Sequence, residues 1–328
     1  YLSGGRAVRA LTSATEGLEI ALLACGIGPG DEVIVPAMSF AASANVIVRV
    51  GATPVFVDVD LASRNIDVAL AERAVTVRTR AIMPVHFSGL AVDMDGLLEL
   101  AARHRLRVIE DAAHAIGTRH RGRAIGSFGD IAVFSFHPNK NMTTIEGGAI
   151  ATADAEVIER IERHRFHGIR RNAEGEIDVV LPGAKSNLSD IAAVVGVHQL
   201  RRLDAFNARR RALAGRYFER LAGDGRFLLP ARGDEGHSWH MFTVLIDFAS
   251  RRTTRAAFQK AMAARGIGVG VHYPCIPGMT YYRERGYRAE DTPNAARIGR
   301  ETVTLPLFPA MRDEDVDRVV EALHAELG

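Results

Sequence analysis

Lys140, Asp111 and the run Thr12-Ser13-Ala14-Thr15-Glu16-Gly17 are the residues whose types and spacing could do chemistry. Only three of the 41 basic residues are lysines, Lys140, Lys185 and Lys260. Lys140 closes Ser135-Phe136-His137-Pro138-Asn139-Lys140, an irregular segment leaving an apolar strand. A lysine with a depressed pKa can form a Schiff base, which a guanidinium cannot. The other two have blander settings, Lys260 on an amphipathic helix and Lys185 in a loop before Asn187. Glu110-Asp111-Ala112-Ala113-His114 ends a second strand, and in an open α/β sheet ligands sit at the carboxyl ends of strands. A carboxylate there can keep a ring nitrogen protonated, although a helix-capping Asp explains the pattern equally well. The Thr12–Gly17 run stands where a strand enters a helix, a ready phosphate cradle. Taken alone it also reads as a plain capping box from Ser13 to Glu16.

Together, a helix-start cradle, an Asp for a pyridine nitrogen and a Schiff-base Lys describe a pyridoxal 5′-phosphate site. Gly26-Ile27-Gly28-Pro29-Gly30 follows a helix and has the wrong glycine spacing for a dinucleotide fingerprint, so nicotinamide chemistry lacks support.

The elements that must position these residues come from hydrophobic periodicity. Strands are expected at 8–11, 32–35, 54–57, 81–85, 107–109, 132–136 and 149–153. Amphipathic helices at 16–25, 94–104 and 155–164 lie between several of them. This alternation predicts βαβ units and a mostly parallel central sheet flanked by helices. From 189 to about 221 one long or bent helix is expected. Beyond it lies a smaller α+β segment, with strands at 241–246 and 269–272 and a last helix over 313–326. The expected division is a large domain over 1–210 and a small C-terminal domain over 211–328.

Composition limits the function classes. The chain of 328 residues is 47% hydrophobic and 24% charged, with a net charge of +2, which gives no reason to expect a nucleic-acid or membrane partner. Two cysteines, Cys25 and Cys275, make neither a disulfide framework nor a metal-type spacing, so no metal is expected and a reducing, cytoplasmic location is. The first residue is not Met, so the natural N-terminus is expected upstream.

The chain resembles the DegT/DnrJ/StrS-type sugar aminotransferases, fold-type I pyridoxal phosphate enzymes. The resemblance rests on Ser13-Ala14-Thr15, Gly28-Pro29-Gly30-Asp31-Glu32, Gly51-Ala52-Thr53-Pro54, Glu110-Asp111-Ala112-Ala113-His114 and Ser135-Phe136-His137-Pro138 with Lys140. Further stretches are Glu146-Gly147-Gly148, Phe166-His167-Gly168, Asn187-Leu188-Ser189-Asp190 and Leu305-Pro306-Leu307-Phe308-Pro309. Within that family it is most similar to the UDP-4-amino-4-deoxy-L-arabinose–oxoglutarate aminotransferase branch, through Ser238-Trp239-His240, Gly266-Ile267-Gly268-Val269-Gly270-Val271-His272-Tyr273 and Tyr281-Tyr282-Arg283.

The resemblance implies Lys140 as the Schiff-base lysine, Asp111 at the pyridine nitrogen and His114 near the cofactor's phenolic oxygen. Phe40 takes the place of the ring-stacking aromatic, where relatives often have Trp or Tyr. Ala14, Thr15 and Ser135 would hold the phosphate, with Asn187 reaching the phosphate of a neighbouring subunit in a homodimer with shared sites. It implies amino transfer from L-glutamate to a nucleotide-activated keto sugar, at C4 of a UDP-4-keto sugar. A 3-aminotransferase is the close rival; a sugar dehydratase would carry His where Lys140 stands, and a non-catalytic paralogue would not keep the whole constellation. His137, Lys185, His272 and Tyr282 are candidate substrate contacts. Trp239 is expected in the core. Against the family pattern the stretch between Gly5 and Arg6 is short by on the order of 20–25 residues, and 171–183 is also short, both at expected loops.

Overall fold

A computed structural model describes residues 4–328. Its seven-stranded sheet comprises β1 (Ala7–Leu11), β2 (Glu32–Pro36), β3 (Thr53–Val57), β4 (Thr79–Ile82) and β5 (Arg107–Asp111). After a short hairpin, β6 (Arg119–His120) and β7 (Arg123–Ala124), come β8 (Ile131–Ser135) and β9 (Gly148–Thr152). The spatial order is β1-β9-β8-β5-β4-β2-β3. β8, β5, β4, β2 and β3 pair in parallel, while β9 runs antiparallel to both neighbours. The mostly parallel reading therefore holds, with one reversal.

That reversal has a consequence for function. Because β9 is antiparallel, its first residue, Gly148, lies opposite both Leu11, the last of β1, and Ser135, the last of β8. The exits of β1 and β8 and the entry to β9 thus share one sheet edge.

The period of two along a strand sends alternate residues to opposite faces. Val33 and Val35 pack with Leu18, Ala21 and Leu22 of α1 (Ala14–Ala24), whereas Ile34 packs with Leu97 and Leu100. The latter two belong to the fourth helix, which follows α2 (Ala42–Arg49) and α3 (Val68–Arg73) as α4 (Met94–His104). Both faces of the sheet are covered, as a parallel sheet requires.

Next in the chain are α5 (Ala155–Arg165) and a hairpin of β10 (Ile169–Arg171) with β11 (Ile177–Val179), into which the short 171–183 segment is folded. The long helix expected from 189 is two helices, α6 (Asp190–Leu200) and α7 (Leu203–Arg220), broken at Arg201-Arg202 where Arg202 N–H donates to the Gln199 carbonyl at 3.0 Å. A separate core gathers Tyr217, Trp239, Phe242, Val303, Leu305, Val316 and Leu323. There β12 (Phe242–Leu245) pairs with β13 (Thr302–Leu305) rather than with 269–272, which makes only the Gly270–Thr304 bridge before Pro274 removes an N–H. The helices α8 (Arg255–Ala264), α9 (Thr280–Arg283), α10 (Pro293–Glu301) and α11 (Asp313–Leu327) complete the fold. Among the described residues, no helix is long and apolar enough to cross a membrane.

Candidate active site

The shared sheet edge opens into a cavity of about 420 Å³. One wall is the start of α1. The Ser13 hydroxyl caps it by accepting from Glu16 N–H at 3.1 Å, which leaves the first-turn N–H groups of Ala14 and Thr15 without intrahelical partners. Both residues line the cavity. The helix end sits tight against the sheet: a Cβ on Gly148 would stand 2.7 Å from the Ala14 nitrogen, so only glycine fits there.

Asp111 supplies the floor. It is 5% exposed, with Oδ2 accepting from the Ser43 hydroxyl at 2.7 Å and Oδ1 from Ala113 N–H at 3.1 Å. Burial pushes its pKa up, against the two hydrogen bonds and the Lys140 charge, and no cationic group hydrogen-bonds to it among the described residues. Lys140 lines the same cavity, and burial brings its amine down to about 8, with Asp111 opposing.

His114 is held neutral, its pKa driven well down by burial and then by the Lys140 and His272 charges. Its Nδ1 accepts from Ser88 N–H at 3.3 Å, so the proton sits on Nε2, 3.3 Å from the Tyr273 hydroxyl. Phe40, 57% exposed, stands at the mouth with its ring 5.8 Å from that of Tyr273. Across the opening, His137 Nδ1 meets Asn139 Oδ1 at 2.8 Å and its Nε2 lies 3.9 Å from Glu146. His272 enters from the other core's side, fixed by its Nδ1 to the Thr304 hydroxyl at 2.7 Å.

The donor set fits pyridoxal phosphate: free N–H groups at a helix start for the phosphate, a buried carboxyl lacking a cation for a protonated ring nitrogen, and a near-neutral amine beside them.

Comparison with known proteins agrees. The model of the DegT/DnrJ/EryC1/StrS aminotransferase family matches residues 1–324. The chain belongs to that family. It is 41% identical to the spore coat polysaccharide biosynthesis protein SpsC of Bacillus subtilis (strain 168), over 98% of this chain and 85% of that protein. Among solved structures it superposes on the Streptococcus pneumoniae protein Spr1654 in its PLP form with a TM-score of 0.89 at 33% identity, covering 97% of this chain and 86% of the other. DesV of S. venezuelae gives a TM-score of 0.89 at 37% identity, with 97% and 84% covered. The protein is a sugar aminotransferase, and pyridoxal phosphate is its cofactor.

In this aminotransferase, the structure brings Ala14, Thr15, Phe40, Asp111, His114, Ser135, His137, Lys140 and His272 around one cavity. Three expected residues stand apart. Tyr282 is 2% exposed, and its hydroxyl is spent on Asn45 Oδ1 at 2.6 Å in a cluster with Phe56 and Ile276, so the expected substrate contact becomes core packing. Asn187 and Lys185 hydrogen-bond to each other on the surface, Asn187 bridging to Leu11 and Lys185 lying 4.9 Å over the Phe166 ring. Trp239 is buried, as expected.

Sequence reasoning did not single out Ser43, Tyr273 or Glu146 as site residues. Ser43 orients Asp111 from α2, 68 residues away in the chain, a contact no local pattern announces. Tyr273 and Glu146 stood inside recognised motifs, and their place beside His272 and Gly147 was the available signal.

Proposed function

We propose that this aminotransferase moves the amino group of L-glutamate to the keto group of a nucleotide-activated sugar, at C4 of a UDP-4-keto sugar. The observation that carries the chemistry is a lysine whose pKa burial lowers to about 8, sharing one cavity with Asp111 and a helix N-terminus. Pyridoxal phosphate, when bound, supplies an electrophilic carbonyl and an electron sink for amino transfer. Ala14, Thr15 and Ser135 hold its phosphate, and Asp111 keeps its ring nitrogen protonated. Phe40 covers a ring face, and His114 offers its Nε2–H to the phenolic oxygen. Lys140 would hold the group covalently through its Nζ, and the free amine would carry the proton taken from the donor's α-carbon. An amine poised near the working pH suits that proton transfer. His137 and His272 contact the sugar at the mouth.

A cytoplasmic homodimer with shared sites completes the reading. α6 turns Ile191, Val194 and Val197 outward at 80%, 60% and 51% exposure, next to Asn187. Such a contiguous apolar face supports burial against a second copy, which would carry Asn187 to the neighbouring phosphate. We divide the chain at residue 210, a reading supported by the separate core around Phe242.

The test is an amination assay with L-glutamate across UDP-, GDP- and dTDP-keto sugars. Expected are bleaching of the visible cofactor absorbance by glutamate alone and a 4-amino UDP-sugar product. A 3-amino product, or glutamate-independent turnover, would overturn the assignment.

A further inference from the structure

Two arginines are buried among the described residues, Arg64 at 1% exposure and Arg210 at 5%. Arg210 gives its Nη1 to the carbonyls of Trp239, His240 and Leu307 at 3.4, 3.0 and 2.7 Å. Arg64 has one acceptor, the Thr243 hydroxyl on β12, 2.7 Å from its Nη1. Its Nε and Nη2 are buried without a partner, and no carboxylate pairs with it among the described residues. Burial alone lowers its pKa, to about 10, with no charged neighbour acting against it.

A tight turn sends this side chain inward. Asp60 Oδ1 accepts from the N–H groups of Ala62 and Ser63 at 3.1 and 2.7 Å, and the Asp60 carbonyl accepts from Arg64 N–H at 2.8 Å. Arg64 closes the turn in the left-handed region, at φ 63°. From there it reaches across to the second core, 179 residues along the chain, and lines a cavity of about 10 Å³ beside Ser88, His237 and Thr243. That is room for one water-sized occupant. No Asp or Glu lines the cavity, and Phe87, Leu90, Pro230 and Trp239 make much of its wall apolar.

An occupant that completes this site must accept from Nε–H and Nη2–H, carry a negative charge and be a single atom. Water would accept both hydrogen bonds but leave the guanidinium charge unmatched against an apolar wall. Carboxylates, phosphate and sulfate have too many atoms for the space. We propose that the cavity binds a halide ion, chloride, held by Arg64 Nε and Nη2 and by the Thr243 hydroxyl proton, which has no other acceptor among the described residues. Donors that carry a charge make the strong hydrogen bonds. Ser88, on the same cavity wall, gives its N–H to His114 Nδ1 at 3.3 Å, so the ion lies directly behind the cofactor cavity. The site is independent of which sugar the enzyme aminates.

Crystals of the cofactor-loaded enzyme grown with bromide in place of chloride test the site directly. An anomalous-scattering peak within hydrogen-bond reach of Arg64 Nη2 is expected, and a cavity that holds only water overturns the proposal. Thermal unfolding gives a second readout. The same enzyme should unfold about 2–4 °C higher in potassium chloride than in potassium gluconate of equal ionic strength, because only the folded state has the site and gluconate is too large for it. Arg64→Met keeps an unbranched side chain but removes its charge, and should unfold at the same temperature in both salts. A bromide peak with no chloride gain in the wild type, or a gain that persists undiminished in Arg64→Met, marks an adventitious ion only and overturns the site. Where the variant does not fold, the two wild-type measurements decide.

Discussion

Glu110 and Asp111 are neighbours at the end of β5, and both are buried, yet the fold treats them in opposite ways. Strand alternation sends them to different faces of the sheet. Glu110 is enclosed: Oε1 accepts from Gly129 N–H at 2.7 Å and Oε2 from His86 Nε2 at 3.1 Å. His86 is oriented in turn, since its Nδ1 accepts from Val92 N–H at 3.1 Å, which places its proton on Nε2 toward Glu110. Asp111 receives one hydroxyl and one N–H, no cation at hydrogen-bond distance among the described residues, and an open cavity in front. A buried carboxyl closed by its own structure holds the architecture together. A buried charge left partly unmatched waits for a ligand.

The largest expected effect breaks the cavity side of this contrast. Lys140→Ala should lower amino transfer by about ten-thousand-fold, by loss of both the covalent partner and the proton carrier, while thermal unfolding shows an intact fold. Next in size is Glu110→Gln. It leaves the buried His86 Nε2–H facing an amide in place of a carboxylate, and should cost about 1–3 kcal/mol in a denaturant titration while the folded fraction still binds cofactor.

Asp111→Asn should behave in the reverse manner. The folded pKa of Asp111 is raised, so its ionised form opposes folding of the cofactor-free protein, and that penalty grows as pH rises. The neutral variant should therefore unfold about 2–4 °C higher than the wild-type apoenzyme at neutral pH, yet bind cofactor more weakly. It also removes the charge that holds Lys140 up. In the wild-type apoenzyme, the rate of cofactor capture should rise with pH and level off above about 8, as the amine loses its proton. In Asp111→Asn that midpoint should move lower, and an unmoved midpoint would show that the two groups do not sense each other. The smallest effect belongs to Ser43→Ala, which removes one hydrogen bond to the carboxylate and should weaken cofactor binding by roughly 1 kcal/mol.

Much of this was legible in the sequence because the strands carry their own signal. The central strands were placed within a few residues, and Asp111, Ser135 and the Ser13–Thr15 turn are strand exits that the parallel pattern aims at one edge. What escaped had long-range causes. The reversal of β9 left no trace in the apolar run Gly148–Thr152, since a buried strand looks alike in either direction. The strand β13, which pairs with β12 from about 60 residues on, was not expected, because the Leu305-Pro306 stretch reads as a loop. Tyr282 looked available only because its hydroxyl's acceptor, Asn45, is 237 residues away.

The unusual lysine count makes one measurement decisive for the central claim that Lys140 is the reactive amine. Borohydride reduction of the cofactor-loaded enzyme, followed by peptide mass analysis, can label only Lys140, Lys185, Lys260 or the chain's α-amino group. The expected result is the reduced cofactor mass on the peptide containing Lys140 and nowhere else. A label on Lys185 or Lys260, or an enzyme that turns over with no lysine labelled, would contradict it.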